Sequence, residues 1–458
     1  MSGVTYTHNT HRTDDTLDTS ETRGTAAGLG RTPAPDTAST RTTSETARTP
    51  APDTARQAPP PGSGRTRPDA TGQESRITLD ERLEHVAAVT AAHAARTDAE
   101  AAFPVEALAA LRETRLLGLL VPSGEGGLGG DLDALLRAAE RLGREDMSVA
   151  MIFAMHCQQV AAVVRYAKPS LRARLLPRIA AGDVYLGSVT TEAGKGGHLL
   201  SSASGLLEER DTMVIDRFAP IVTGGAHADG FLVTMRSPGA SSDGQVSLVY
   251  AGREQLSLDQ SGDWQPLGMR ASHSVALRLS GHVPADQVVG EHGDFRAVAM
   301  SVFAPLAHLG WSACWLGTAS GALARVLRLL RDPEGRRRHD LGSELLLTRL
   351  SRARQRLDTV HALLRHTAGT VATARDLSVP SVQLLLNALK ITASEQCHAV
   401  VEDLIDVVGL RHGYLKDSPT ALERALRDLR SAALNYSNDR LHLADGRLTL
   451  LNPEVTLA

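Results

Sequence analysis

The sequence predicts an α+β protein. A helical N-terminal domain, a middle antiparallel β-barrel domain and a C-terminal four-helix bundle follow a disordered tail. Three observations predict it. Apolar residues recur at helical spacing from Ile77 through the first third of the ordered chain, and again from Phe295 to about Leu451. Between residues 188 and about 290, short alternating runs are separated by Gly, Ser, Asp and Pro, with no helix-length segment among them. Residues 1–75 are Thr, Pro, Ala, Asp and Arg with almost no large apolar side chain. The expected domains are therefore 1–75, 76–187, 188–293 and 294–458.

The tail comes first. RTPAPDTA occurs at Arg31 and again at Arg48, and PPPG follows at Pro59. Such a segment cannot bury enough surface to offset its ordering entropy. From Ile77 the pattern turns helical, with Leu79, Leu83, Val86 and Val89 on one face. Pro104 suits a helix start, Asp131 suits an N-cap, and SVAMIFAMHCQQVAAVV is apolar enough to be a central helix. Its His156 reads as a satisfied core histidine, with a cofactor or substrate contact as the other reading. Short strands follow in LLEERDTMVIDRFAPIVTGG, DGFLVTMRS, VSLVYAG and SVALRLSGHVP. The closing helices are expected to begin near Asp294, Leu341, Val379 and Thr420.

Composition narrows the function. A chain of 458 residues, 42% apolar, has room for two or three domains. A net charge of −3 gives no reason to expect nucleic acid or an acidic membrane surface as partner. Cys157, Cys314 and Cys397 are far apart among apolar neighbours, which is neither a disulfide framework nor a zinc cluster. A reducing cytoplasm fits. No signal-peptide pattern opens the chain, and charges break the apolar runs short of a membrane span.

Chemistry concentrates at Tyr185–His198, YLGSVTTEAGKGGH. A strand ends at Val189, the Thr190 and Thr191 hydroxyls follow, and Gly194, Gly196 and Gly197 punctuate the loop. Glycine lets backbone approach a flat or phosphorylated ligand, and a hydroxyl both donates and accepts. Flavin or nucleotide binding is the functional reading; an ordinary polar turn is the other.

Further motifs agree with one family in order and spacing. These are the Gly-rich GEGGLGG after LLGLLVP, TEAGKGGH, then APIVTG at Ala219–Gly224, then PLGMRASHSVALRLSGHVP, then Arg338 with Leu341-Gly342, then Gly409 to Tyr414 and Arg427-Asp428. Over roughly residues 76–451 the chain resembles the acyl-CoA dehydrogenase superfamily of flavoenzymes. The resemblance implies FAD between β-domain and bundle, and a homo-oligomer, dimer or tetramer. It places Thr190, Thr191, Gly196, Gly197, Ile221 and Thr223 around the flavin, with Arg338 reaching a pyrophosphate, that of a neighbouring subunit. Ile221 stands where the family carries a flavin-stacking tryptophan, and Leu341 where it carries Phe. Arg270, of Gly-x-Arg-x-Ser, is expected to pair a carboxylate at the domain junction.

The departures bear on mechanism. The family's reaction removes an α-proton from an acyl thioester with a carboxylate base. Its glutamate occupies one of two positions. Here one falls at Ala307 or His308 and the other at Tyr436, beside Asn435 and Ser437. His308 is a candidate general base, Tyr436 a poorer one because a phenol ionises near pH 10, and Asp439 a third. The expected activity is FAD-dependent oxidation of the Cα–Cβ bond of a CoA- or carrier-bound acyl thioester, with an electron-acceptor flavoprotein. The alternative is a monooxygenase on the same fold. It would use FMN or freely diffusing reduced flavin from a flavin reductase, form a C4a-hydroperoxide and need no α-proton base, with His156, His198 or His308 polarising peroxide or substrate. A non-catalytic member is the third reading.

Overall fold

The computed structural model describes residues 77–192, 199–451 and 453–458. The tail, Gly194, Gly196, Gly197 and His198 lie outside the described residues.

Local signals set the N-terminal helices. Helix α1 (Leu79–Glu100) opens with a capping box: Thr78 Oγ1 accepts from the Glu81 backbone, and Glu81 accepts from the Thr78 backbone at 2.7 Å. Then come α2 (Val105–Glu113), α3 (Leu132–Gly143, capped by Asp131), α4 (Met147–Tyr166, capped by Asp146) and α5 (Pro169–Ala181, Pro at its first position). α4 is the central helix its composition predicts, buried along most of its length. By length and hydropathy α4 and the segment Phe295–Arg331 could each cross a membrane. Here 83% and 67% of their apolar windows are buried inside the fold, so packing explains the composition.

The β-region holds β1 (Leu186–Val189), β2 (Leu207–Glu209), β3 (Thr212–Val222), β4 (Gly230–Arg236), β5 (Val246–Gly252), β6 (Leu256–Ser261) and β7 (Val275–Pro284). They form two sheets, β1-β4-β5 and β2-β3-β7-β6. This corrects one detail of the expected single antiparallel barrel. β1 pairs β4 in parallel, Leu186 opposite Gly230 and Val189 opposite Val233. A parallel pair needs a long crossover. Here β2 and β3 supply it by pairing in the second sheet. The β3–β7 register shifts between Ala219 and Val222, a bulge at the very stretch the sequence marks as cofactor-contacting.

The last region begins with α6 (Phe295–Val298), a π-helical turn (Ala299–Phe303) and α7 (Ala304–Arg331). It continues through α8 (Pro333–Arg338), α9 (Glu344–Thr373), α10 (Pro380–Gly413), α11 (Leu422–Arg430) and α12 (Asn438–Leu450). α7, α9 and α10 pack on one another, and α11 and α12 pack on α10. α7 also crosses α3 closely: a Cβ at Gly317 would stand 2.2 Å from the Glu140 carbonyl oxygen. Of two hydrophobic clusters among the described residues, the larger runs from Leu83 through the β-strands to Ala432, and the smaller joins α4, α5, β5 and α6.

Candidate functional site

The loop after β1 is fixed by a buried arginine. Arg217 on β3 is 1% exposed and donates to the Thr191 carbonyl at 2.8 Å and to the Phe218 carbonyl at 3.1 Å, while pairing with Glu192 at 2.9 Å. Glu192 also accepts from the Ala203 and Ser204 backbone at 2.9 and 3.0 Å and from the Ser204 hydroxyl at 2.8 Å. Burial pushes the Glu192 carboxyl up, but these bonds and Arg217 outweigh it and hold it below the usual range. The glutamate of TEAGKGGH is therefore a clamp.

The two threonine hydroxyls have opposite polarity. Thr191 Oγ1 donates to the Ile221 carbonyl at 2.9 Å, so what it offers a neighbour is lone pairs. Thr223 Oγ1 accepts from Ser274 Oγ at 3.1 Å, and Ser274 in turn meets Ser272 Oγ at 2.8 Å. The Thr223 proton is thus left to donate outward. Thr190 is half-buried at the end of β1, and Ile221 projects from the bulge 48% exposed. The donor set suits a ring edge that alternates donors and acceptors, with Ile221 as a thin cover for one face.

Arg270 does not pair a carboxylate. It donates to the Asp98, Ala99 and Pro266 carbonyls, and Arg427 takes the Asp98 carboxylate at 2.6 and 3.0 Å. Asp428 accepts from the Met269 backbone at 2.6 Å, and a Cβ at Gly268 would lie 2.1 Å from the Arg427 carbonyl oxygen. Arg427-Asp428 thus ties GMRAS to α11. His156 is the satisfied core histidine: its Nδ1 accepts from the Leu186 backbone at 3.0 Å and its Nε2 donates to the Leu117 carbonyl at 2.8 Å. Burial pushes it down to about 4, so it is neutral and fully engaged. Arg338 is exposed and pairs Glu334.

A second polar cluster lies where α7, α10 and the segment before α12 meet. His308 and Tyr436 stand there with ring centroids 6.5 Å apart, so both base positions converge. His308 is buried. Burial first, then the Lys390 charge, push it down to about 4 against a backbone hydrogen bond at Leu386. Its Nδ1 has no partner among the described residues, nor do Ser312 Oγ and Trp315 Nε1, one and two turns on along the same face of α7. Lys390 on α10 is completely buried, 5.8 Å from the Trp315 ring centroid. It donates to Asn438 Oδ1 at 2.7 Å and to the Tyr436 carbonyl at 2.9 Å. Asp439 is exposed on the first turn of α12. Among the described residues no group of three metal-ligating side chains gathers.

Arg217, Ser274, Lys390 and Asn438 were not singled out from sequence. Lys390 carried a signal, a lone charge inside LLLNALKITA, which a helix buries only for cause. The other three are ordinary residues whose partners lie far along the chain.

Family models match twice: "Acyl-CoA dehydrogenase, N-terminal domain" over residues 73–183 and "Acyl-CoA dehydrogenase, C-terminal domain" over residues 309–439. Mitochondrial isobutyryl-CoA dehydrogenase of Dictyostelium discoideum is 23% identical over 339 residues, 74% of this chain and 79% of that protein. Among solved structures, dibenzothiophene monooxygenase TdsC of Paenibacillus sp. A11-2 aligns with TM-score 0.71 at 21% identity, covering 82% of this chain and 97% of that one. The same protein has been solved with FMN bound. Butyryl-CoA dehydrogenase of Megasphaera elsdenii aligns with TM-score 0.72 at 17% identity, covering 81% and 98%.

Proposed function

The chain belongs to the acyl-CoA dehydrogenase superfamily and is a flavin oxidoreductase by kinship, and on that premise we propose that it works as a flavin-dependent monooxygenase. One observation carries this reading. The place where the two base positions converge holds His308, Tyr436 and a buried lysine, and among the described residues no carboxylate is one of the groups that shift the His308 ring. Taking an α-proton onto His308 would create a second positive charge beside Lys390 in a dry interior, where like charges are costly.

The residues present fit a flavin. Thr223 would donate to a ring acceptor and Thr191 accept from a ring N–H, each oriented by a hydrogen bond to a neighbouring residue. Bound flavin would supply the two-electron redox chemistry. FAD is the expected form, FMN the alternative, and Arg338 would meet a phosphate of a neighbouring copy in a homo-oligomer. The chain's own contribution is orientation and protonation. With the His308 hydrogen bond at Leu386 spent on one ring nitrogen, Nδ1 presents a lone pair. That lone pair would accept from an O–H or N–H of the substrate. A substrate carrying a hydroxyl or amine is therefore expected, with a flavin reductase as electron source. Its site of action would be the cytoplasm.

The dehydrogenase reading stands second, favoured by the acyl-CoA dehydrogenase names of the sequence relatives. It would use an acyl thioester, His308 as base and an electron-acceptor flavoprotein. The experiment supplies purified protein with reduced FAD or FMN and oxygen. Protein-dependent oxygen uptake that a hydroxylated or aminated aromatic probe converts from peroxide release to oxygenated product supports the proposal. Peroxide release alone across a broad probe panel, together with flavin bleaching by an acyl thioester, overturns it.

A further inference from the structure

Tyr436 has φ 55°, a left-handed conformation that a bulky residue adopts only when its surroundings over-determine it. The surroundings that do so include a lysine. Lys390 Nζ reaches across from α10 to the Tyr436 carbonyl at 2.9 Å and to Asn438 Oδ1 at 2.7 Å. Asn438 is itself oriented: its amide donates to Ser394 Oγ and to Glu395 Oε1, each at 3.1 Å, which turns its carbonyl toward the ammonium. The turn is thus gripped at two successive points, Tyr436 and the cap region of α12.

This grip is costly to keep. Among the described residues the Lys390 ammonium hydrogen-bonds no carboxylate; the Glu395 charge, on the far side of Asn438, favours its charged form from a distance. A buried cation without a paired anion is less stable than an apolar side chain of the same volume. The residue choice is also unusual for this chain, which has four lysines among its 49 Lys and Arg residues. A lysine fits here because its compact ammonium, on a flexible apolar stem, reaches two carbonyl oxygens while lying 5.8 Å from the Trp315 ring centroid. Stability alone does not account for it.

We propose that Lys390 is a positioning residue. By holding the Tyr436 backbone in its left-handed conformation, it sets the Tyr436 ring beside His308. The inference rests on the reading of His308 and Tyr436 as the reacting pair for its consequence, and on the two Lys390 hydrogen bonds for its geometry.

The test uses full-length protein labelled with 3-fluorotyrosine, whose Tyr436 fluorine resonance is assigned by its loss in Tyr436→Phe. Lys390→Met preserves volume and removes the donors. The expected result is that the Tyr436 resonance broadens or splits, the other tyrosine resonances and the melting temperature stay near wild type, and oxygen uptake with reduced FAD falls at least tenfold in kcat with little change in KM. Asn438→Asp with Lys390 in place keeps an acceptor for the ammonium and is expected to leave one sharp Tyr436 resonance. If Lys390→Met does not fold, Asn438→Leu carries the same expectation. An unchanged Tyr436 resonance in the folded variant overturns the positioning role. Should Lys390→Met shift the resonance while His308→Ala and Tyr436→Phe both leave oxygen uptake intact, the positioning role stands and the reading of the site falls.

Discussion

The loop beside β1 and the crevice between α7 and α10 are both polar, and they are built on opposite principles. In the first, the side chains are closely partnered: Arg217 and Glu192 pair with each other and with neighbouring backbone, Thr191 bonds Ile221 and Thr223 bonds Ser274, although Arg217 Nε has no partner among the described residues. In the second, three buried polar atoms on one face of α7 have no partner among the described residues, and a cation lies among them. Buried polar atoms are kept unsatisfied only for a reason. The loop is pre-organised to hold something that does not change, and the crevice is poised to meet something that arrives. The expected cofactor loop keeps the family's motif order with Ile221 in place of the tryptophan, and the two expected base positions hold His308 and Tyr436.

Substitutions can break that contrast. The largest effect is expected from Arg217→Met, which strands Glu192 in a partly dry site and should cost about 3 kcal/mol of stability, read from urea unfolding. The same change should release bound flavin, because the Thr191 carbonyl loses its anchor. An Arg217→Met protein as stable as wild type would show that the clamp is dispensable.

The crevice should reveal itself through pH. His308 has a folded pKa of about 4 against an ordinary 6.5, so the unfolded chain takes up its proton first as pH falls. Stability from this group is fully present above pH 6.5 and is lost as pH falls from 6.5 toward 4. In His308→Gln the unfolding free energy should become shallower by about 1.4 kcal/mol per pH unit across that window. His156 adds a similar slope of its own, so the two single variants should each remove part of it and the double variant more. An unchanged slope in His308→Gln would mean that His308 is already charged in the folded protein.

Smaller effects sharpen the loop side. Thr223→Val keeps shape and removes the outward donor, and flavin affinity should fall about tenfold in a fluorescence titration, the worth of one hydrogen bond. Ile221→Trp should tighten flavin about threefold by covering one ring face with an aromatic. If the tryptophan weakens binding, the bulge between Ala219 and Val222 aims position 221 elsewhere.

Much of the fold was legible in the sequence because it is written locally. Asp131 caps α3, Val379 precedes α10, Asp294 precedes α6, and apolar periodicity tells helix from strand. What escaped is set by distant pairing. That β1 lies parallel to β4 depends on β2 and β3 finding β7 and β6 in the other sheet, which no single segment states. The site divides the same way. Thr191, Thr223, His308 and Tyr436 could be located by counting along motifs. Arg217, Ser274 and Lys390 could not, because the fold brings in their partners from 26, 51 and 48 residues away. Arg270 shows the limit of motif reasoning: its place at the junction was foreseen, but it binds carbonyls while Arg427 takes the acid.

One measurement weighs the two chemistries directly. The flavin-loaded protein is mixed anaerobically with a panel of short, branched and long acyl-CoA thioesters and its visible spectrum followed. With His308 held neutral by burial and by Lys390, and no carboxylate among the described groups that shift it, the oxidised flavin band should persist with every thioester. Stoichiometric bleaching by any of them would show that an α-proton is removed after all, and the monooxygenase account would be abandoned.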